Sequence, residues 1–74
     1  MKIGTKRMFQ LMLREIDSIK IKGKSLYIEE DEYGCDFIYD GKKLHFDYDN
    51  SEDVTGKASC QRLCDKVNKF FNFE

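Results

Sequence analysis

Two turn dipeptides constrain the fold of this chain more than any other feature of its sequence. Gly23-Lys24 has the composition of a type II′ hairpin turn, and Asp40-Gly41 has that of a type I′ turn. If each dipeptide forms a two-residue loop, apolar residues lie opposite apolar residues in both hairpins. The predicted pairs are Ile21/Leu26 and Ile19/Ile28 around the first turn, and Phe37/Leu44, Cys35/Phe46 and Tyr33/Tyr48 around the second.

Period-two alternation places these apolar side chains on a single sheet face. A slip of one residue would move each of them to the opposite face, so the agreement of both turns with the pattern favours an antiparallel meander. The connection Asp31–Gly34 lacks two-residue turn chemistry, and Gly34 is predicted to supply a positive φ or a bulge there. The predicted strands are Ser18–Lys22, Ser25–Glu30, Cys35–Tyr39 and Lys42–Asp49.

Amphipathic helices flank the meander. Thr5 is a candidate N-cap for the first helix, and apolar residues from Met8 to Ile16 then recur at helical spacing. These Met and Phe residues are compatible with a partner groove, but a core stripe explains them more simply. The second helix is predicted from about Gly56 to Asn72. Both helices need a surface to bury against, so the sequence predicts a two-layer α+β domain, α-β4-α, with both helices on the apolar sheet face.

The chain is predicted to form one small domain, residues 1–74. A chain of this length buries only about 60% of its unfolded surface, which leaves little room for a cofactor cavity. No run approaches the roughly 18 apolar residues of a membrane span, and no apolar signal core follows Lys2. Three cysteines are an odd number for a disulfide framework and suit a reducing compartment, so the expected location is cytoplasmic.

Charge is distributed unevenly along the chain, although the net charge is only −1. Residues 1–24 carry seven basic and two acidic side chains, residues 25–53 carry two lysines and ten acidic side chains, and residues 54–74 carry four basic and two acidic side chains. The sequence therefore predicts a mildly basic helical layer and a strongly acidic sheet. Such a surface can steer a basic partner and opposes contact with phosphates; it also fits a solvated face that keeps a small protein soluble.

Two groups of residues resemble catalytic or metal sites. The second turn places His45 opposite Asp36, which is part of a catalytic triad without a nucleophile, because Cys35 points into the core; a cross-strand ion pair explains the two residues better. Cys60 and Cys64 lie one helical turn apart, with Cys35 as a possible third ligand. Structural zinc needs four ligands, so buried thiols are the simpler explanation, and no metal or cofactor is expected.

The order of elements resembles a known RNA-binding layout. A helix, strands and then Gly56-Lys57-Ala58-Ser59 opening a last helix are similar to the α-β-β-β-α arrangement of double-stranded RNA-binding domains. In that family a glycine precedes a Ser-Lys-Lys helix start that clamps phosphates, whereas here Cys60 and Gln61 follow Ser59. The resemblance implies an alternative function, nucleic-acid binding through basic helix faces that carry Lys57, Arg62, Lys66 and Lys69.

These observations favour a small non-enzymatic protein-interaction module, either a monomer or a weak homodimer. We expect its acidic sheet and loops to occupy a basic, nucleic-acid-binding surface of another protein, with no membrane contact and no direct nucleic-acid binding. Abundant Lys, Ile, Phe, Tyr and Asp are typical of AT-rich genomes, so a charge-mimicking inhibitor from a phage or mobile element is the sharper hypothesis. The candidate partner-binding residues are Glu29, Glu30, Asp31, Glu32, Asp36, Asp40, Asp47 and Asp49.

Overall fold

The computed structural model describes residues 2–30, 32–47 and 57–73, and the side chains of residues 57–59 are outside this description. It has four antiparallel strands in a meander with sheet order β1-β2-β3-β4, and a helix at each end of the chain. This arrangement confirms the predicted α+β fold. The elements are α1 (Thr5–Met12), β1 (Ile19–Ile21), β2 (Lys24–Glu30), β3 (Gly34–Tyr39), β4 (Lys42–Asp47) and α2 (Lys57–Phe70).

One hydrophobic cluster joins both helices to the inner face of the sheet. Sequence reasoning identified most of its members but missed three. Ile3 precedes α1, Phe73 follows α2, and Tyr39 ends β3 with its hydroxyl donating a hydrogen bond to the Ile21 carbonyl at 2.7 Å. The Tyr39 ring also meets Phe73 edge-on, with 4.8 Å between ring centroids. Phe73, after α2, therefore packs against Tyr39 of β3 and connects the helical layer to the sheet.

The β3–β4 hairpin has the predicted register. Phe37 pairs with Leu44 and Cys35 with Phe46, and Asp40 and Gly41 form the turn. Both turn residues have positive φ, 52° and 76°, as a type I′ turn requires. The predicted Tyr33/Tyr48 pair lies outside the described residues, because Tyr48 is not among them.

The predicted register of the β1–β2 hairpin is wrong. The turn is Lys22-Gly23 rather than Gly23-Lys24, so Leu26 pairs with Ile19 and not with Ile21, and Ile28 pairs with Phe37 of β3 rather than with Ile19. Moving the turn by one residue shifts the pairing by two, and a shift of two leaves every side chain on the same face. The apolar pattern therefore could not separate the two registers. Lys22 (φ 53°) and Gly23 (φ 80°) adopt type I′ geometry.

Gly34 is required for a different reason from the one predicted. The left-handed glycines among the described residues are Gly23 and Gly41, so Gly34 does not supply a positive φ. It pairs with Asp47 at the start of β3, where a Cβ would collide with the backbone oxygen of Phe46. The two strand backbones thus approach closely at Gly34, and only a residue without a side chain fits.

Both ends of α1 differ from the sequence prediction. Gly4, not Thr5, is the N-cap of α1. Glycine has no side chain that could cap the helix, and its carbonyl accepts the first helical hydrogen bond, from the Met8 N–H at 3.1 Å. The helix ends at Met12, before the last predicted apolar positions, and leaves Leu13 exposed. Arg14 follows in the left-handed conformation (φ 63°), as the C′ residue of a Schellman motif.

The end of α2 repeats this motif. The Phe73 N–H donates to the Asn68 carbonyl at 2.9 Å and the Asn72 N–H donates to the Lys69 carbonyl at 3.3 Å, with Asn72 left-handed at φ 58°. The helix therefore ends at Phe70 rather than at the predicted Asn72. The reversal of the chain turns Phe73 back into the core, where it is fully buried.

Candidate interaction surface

The outer face of the sheet carries the most distinctive arrangement of polar side chains. Strand pairing places Glu29, Asp36 and His45 side by side across β2, β3 and β4, and places Tyr27, Ile38 and Lys43 in the next row. Tyr27 is 38% exposed, and Ile38 is half-buried. The centre of this face is thus apolar and aromatic, with acidic residues towards one end.

His45 is held between two carboxylates. Its Nδ1 lies 2.6 Å from Asp36 Oδ1, and its Nε2 lies 2.6 Å from Asp47 Oδ1. The pKa of His45 is raised above its ordinary value of 6.5. The larger cause is the hydrogen bond to Asp36, and the next is the hydrogen bond to Asp47. An imidazole can donate from both nitrogens only when it is protonated, so this geometry favours the imidazolium. Sequence reasoning found the Asp36 partner and missed Asp47, which is two residues along the same strand and the same face.

The histidine has no nucleophile beside it among the described residues. Cys35 is next to Asp36 in sequence but lies on the inner face, fully buried. Lys43 Nζ lies 3.8 Å from the second oxygen of Asp36, so this carboxylate is shared between two basic groups. The cluster therefore has the chemistry of a cross-strand ion-pair network that offsets the like charges of Glu29 and Asp36, which are directly opposite each other.

The structure separates the eight predicted partner-binding acids into four groups. Glu29, Asp36 and Asp47 share the outer sheet face, and Glu32 is exposed in the β2–β3 connection. Two others pair with bases within the chain: Glu30 Oε1 lies 3.5 Å from Arg14 Nη2, and Asp40 Oδ2 lies 2.9 Å from Lys24 Nζ. Asp31 and Asp49 lie outside the described residues. We call Glu29, Glu30, Glu32, Asp36 and Asp47 the acidic end of the sheet, because strand register brings all of them to one end of the strands.

All three cysteines are buried thiols, as predicted. Cys64 Sγ donates to the Ile3 carbonyl at 2.8 Å, and Cys60 Sγ donates to the Thr5 carbonyl at 3.6 Å. Burial raises the pKa of both thiols above the ordinary 9.0, and for Cys64 the charge of Asp65 adds to this effect. The described part of the chain contains no group of three or more His, Cys, Asp or Glu arranged to hold a metal ion.

Asn68 fixes the segment before α1, a role that sequence reasoning missed. Its Oδ1 accepts the Ile3 N–H at 2.8 Å, and its Nδ2 donates to the Ile3 carbonyl at 2.9 Å. The sequence shows only a polar residue next to the apolar stripe of α2, which does not indicate a hydrogen bond to Ile3. The contact is structural, because both hydrogen bonds go to the backbone of this chain.

The basic face of α2 is less continuous than the sequence implied. Lys66 Nζ lies 5.7 Å from the centre of the Phe46 ring, a cation–π contact that ties this lysine to the sheet. Asp65 lies between Arg62 and Lys69 on the exposed side, where it accepts a hydrogen bond from Gln61 at 2.9 Å. The Lys57 side chain lies outside the described part. The sheet also has four strands, where the RNA-binding layout has three.

No helix within residues 2–30, 32–47 and 57–73 is long and apolar enough to cross a membrane. Comparison of the chain with protein-family models, with curated proteins and with solved structures finds no match.

Proposed function

We propose that this protein is a small interaction module that binds a basic surface of another protein through the outer face and acidic end of its sheet. The observation that carries the proposal is the row Glu29–Asp36–His45 beside the exposed Tyr27. An aromatic anchor bordered by charges is the usual composition of a protein-binding patch. The five residues of the acidic end supply the steering field for a basic partner.

The sharper form of the proposal concerns the partner's own ligand. A basic surface that accepts several carboxylates in a small area commonly serves to bind phosphates, so the module would compete with nucleic acid for it. It acts as an inhibitor by occupying that surface, needs no catalytic group or cofactor, and works in the cytoplasm, where its three thiols stay reduced. A basic helix face remains the competing nucleic-acid-binding surface.

The test begins with capture of partners on the immobilised protein from a nuclease-treated lysate of its source organism, followed by purification of the captured protein. Association rates are then measured for the parent and for Glu29→Lys. The Glu29 change reverses an exposed charge on the outer face, so we expect association to slow by about tenfold at low salt, because steering charges act mainly on the on-rate. Tyr27→Ser should instead speed dissociation.

Asp65→Lys is the matched control, since it makes the same charge change on α2 and should alter association by less than about twofold. The purified partner should also release labelled nucleic acid when the parent protein is added. The proposal is wrong if Glu29→Lys binds as fast as the parent. If the double variant Lys66→Glu/Lys69→Glu abolishes binding and Glu29→Lys does not weaken it, the α2 face is the interface instead.

A further inference from the structure

The end of the sheet opposite the acidic end carries a cluster of lysines. Both two-residue turns, Lys22-Gly23 and Asp40-Gly41, lie at this end. Their proximity is shown by the ion pair between Lys24, which follows the first turn, and Asp40 of the second. We call the cluster the lysine end. It consists of Lys20, Lys22, Lys24, Lys42 and Lys43, all of them exposed.

The charge at this end is almost entirely positive. Residues 19–26 and 38–43 contain these five lysines and one acid, Asp40, which is bonded to Lys24. Lys42 and Asp47 are five residues apart on β4, so these two residues are separated by about 17 Å along the strand. The two ends meet at one ion pair, Lys43 with Asp36, whose Nζ and Oδ2 atoms are 3.8 Å apart. Counting charges along the sequence does not show this separation, because residues 25–53 contribute lysines to one end of the sheet and carboxylates to the other.

Backbone conformation at Lys22 is a second, independent observation. Lys22 occupies the first central position of a type I′ turn with φ 53°, where Asn, Asp or Gly is strongly preferred. A lysine in the left-handed region is strained, and strain of this kind concentrates at functional sites. Lysine is not a residue that this turn favours, and at the tip of the hairpin its charge is exposed to a partner.

We propose that the lysine end binds the phosphate backbone of nucleic acid without reading its sequence. The end offers exposed ammonium groups, and lysine binds phosphates as a point charge without the directed geometry that arginine has. A protein partner would need an apolar interface core, and a membrane surface would need an apolar anchor. Of the large exposed hydrophobic residues, Tyr27 alone borders this end, in the row of Ile38 and Lys43, and Phe9, Leu13, Tyr33 and Phe70 lie outside residues 19–26 and 38–43. The acidic end then faces away from the phosphates and stays available to a protein.

The test is fluorescence anisotropy with a labelled 20-base-pair DNA duplex of arbitrary sequence, titrated between about 20 and 200 mM NaCl. We expect weak binding by the parent, with a dissociation constant in the range of about 10⁻⁶ to 10⁻⁴ M, that weakens steeply with salt. Lys22→Asn combined with Lys42→Gln should lower affinity by about tenfold. It should also reduce the slope of log K against log salt by about 1.8, or roughly 0.9 for each lost contact.

Lys22→Asn separates binding from folding, because asparagine suits the turn better than lysine. Its melting temperature should equal or exceed that of the parent while its affinity falls. Lys42→Gln alone provides a variant whose turns are untouched, and Lys66→Gln with Lys69→Gln is the control with the same loss of charge on α2, expected to change affinity by less than about twofold.

Three outcomes would overturn the proposal: a double variant of the lysine end that binds as tightly as the parent, a larger loss in the α2 variant, or equally tight binding of the parent to poly-glutamate or to phosphatidylserine vesicles at the same salt. Glu29→Lys distinguishes this proposal from the protein-binding one. It should not weaken duplex binding, since it removes a negative charge, although it slows association with a protein partner.

Discussion

Asn68 shows how a single polar residue joins two distant parts of this chain. Its amide satisfies both backbone groups of Ile3, whose side chain is buried, and Cys64 donates to the same Ile3 carbonyl. Without these bonds a partly buried N–H and C=O would lose their partners, and such groups carry the full cost of desolvation. The segment before α1 is therefore held by hydrogen bonds as well as by apolar burial.

Asn68→Ala should lower the free energy of unfolding by about 2 kcal/mol, because it removes the partner of the Ile3 N–H and leaves the carbonyl to Cys64 alone. Gln61→Ala on the exposed side of the same helix is the control, with an expected change within about 0.5 kcal/mol. Urea denaturation measures both variants, and hydrogen exchange should show the Ile3 amide losing protection. An Ile3 amide that stays protected in Asn68→Ala would contradict the assigned bond.

At the scale of elements, alternation and turn chemistry predicted the meander, and the β3–β4 register followed because Asp-Gly suits only one turn placement. The β1–β2 register did not follow, because Lys22-Gly23 and Gly23-Lys24 both keep Ile19, Ile21 and Leu26 on the inner face. The observed register requires Lys22 to adopt a left-handed conformation. Lysine rarely adopts this conformation, so residue preferences favoured the other turn. Contacts to single backbone groups, such as those of Asn68 and Gly34, leave no periodic signal at all.

The end of α1 provides a prediction at this scale. Arg14 is left-handed at the C′ position, and its guanidinium forms an exposed ion pair with Glu30. Arg14→Ala should destabilise the fold by no more than about 1 kcal/mol, since it removes that pair and retains the strain. Arg14→Gly should be more stable than Arg14→Ala by about 1 kcal/mol, because glycine adopts positive φ without steric cost.

Thermal unfolding of the two Arg14 variants makes this comparison. Inside a helix alanine is the more stable of the pair, so the reversed order is specific to the left-handed cap. Equal stability, or alanine above glycine, would mean that Arg14 is not left-handed in solution.

Across the whole molecule, charge is arranged by strand register rather than by layer. Sequence counting predicted an acidic sheet beneath basic helices, whereas pairing gives one sheet an acidic end and a lysine end. A molecule with a net charge of −1 can therefore present a strong field of either sign, depending on its orientation towards a partner. This layout joins the two proposals, because a protein surface and a phosphate backbone would approach opposite ends.

The imidazolium of His45 links this charge pattern to global stability. Its pKa in the folded protein is raised by Asp36 and Asp47, so the folded state binds the proton more tightly than the unfolded state does. The stabilisation is fully present below the ordinary pKa of 6.5 and is lost as pH rises through the higher folded value. The melting temperature should therefore fall as pH rises from about 6.5 towards 8, before the thiols of the unfolded chain ionise.

His45→Gln keeps a polar side chain between the two carboxylates but cannot titrate, so its melting temperature should stay nearly constant over the same pH range. Differential scanning calorimetry at half-unit pH intervals, at constant ionic strength, separates the two curves. A parent curve that is flat or rises with pH would show that His45 is not held as an imidazolium. If the curves differ as expected, loss of the proton also makes the outer sheet face more negative, so association with a basic partner should become faster over the pH range in which the fold weakens.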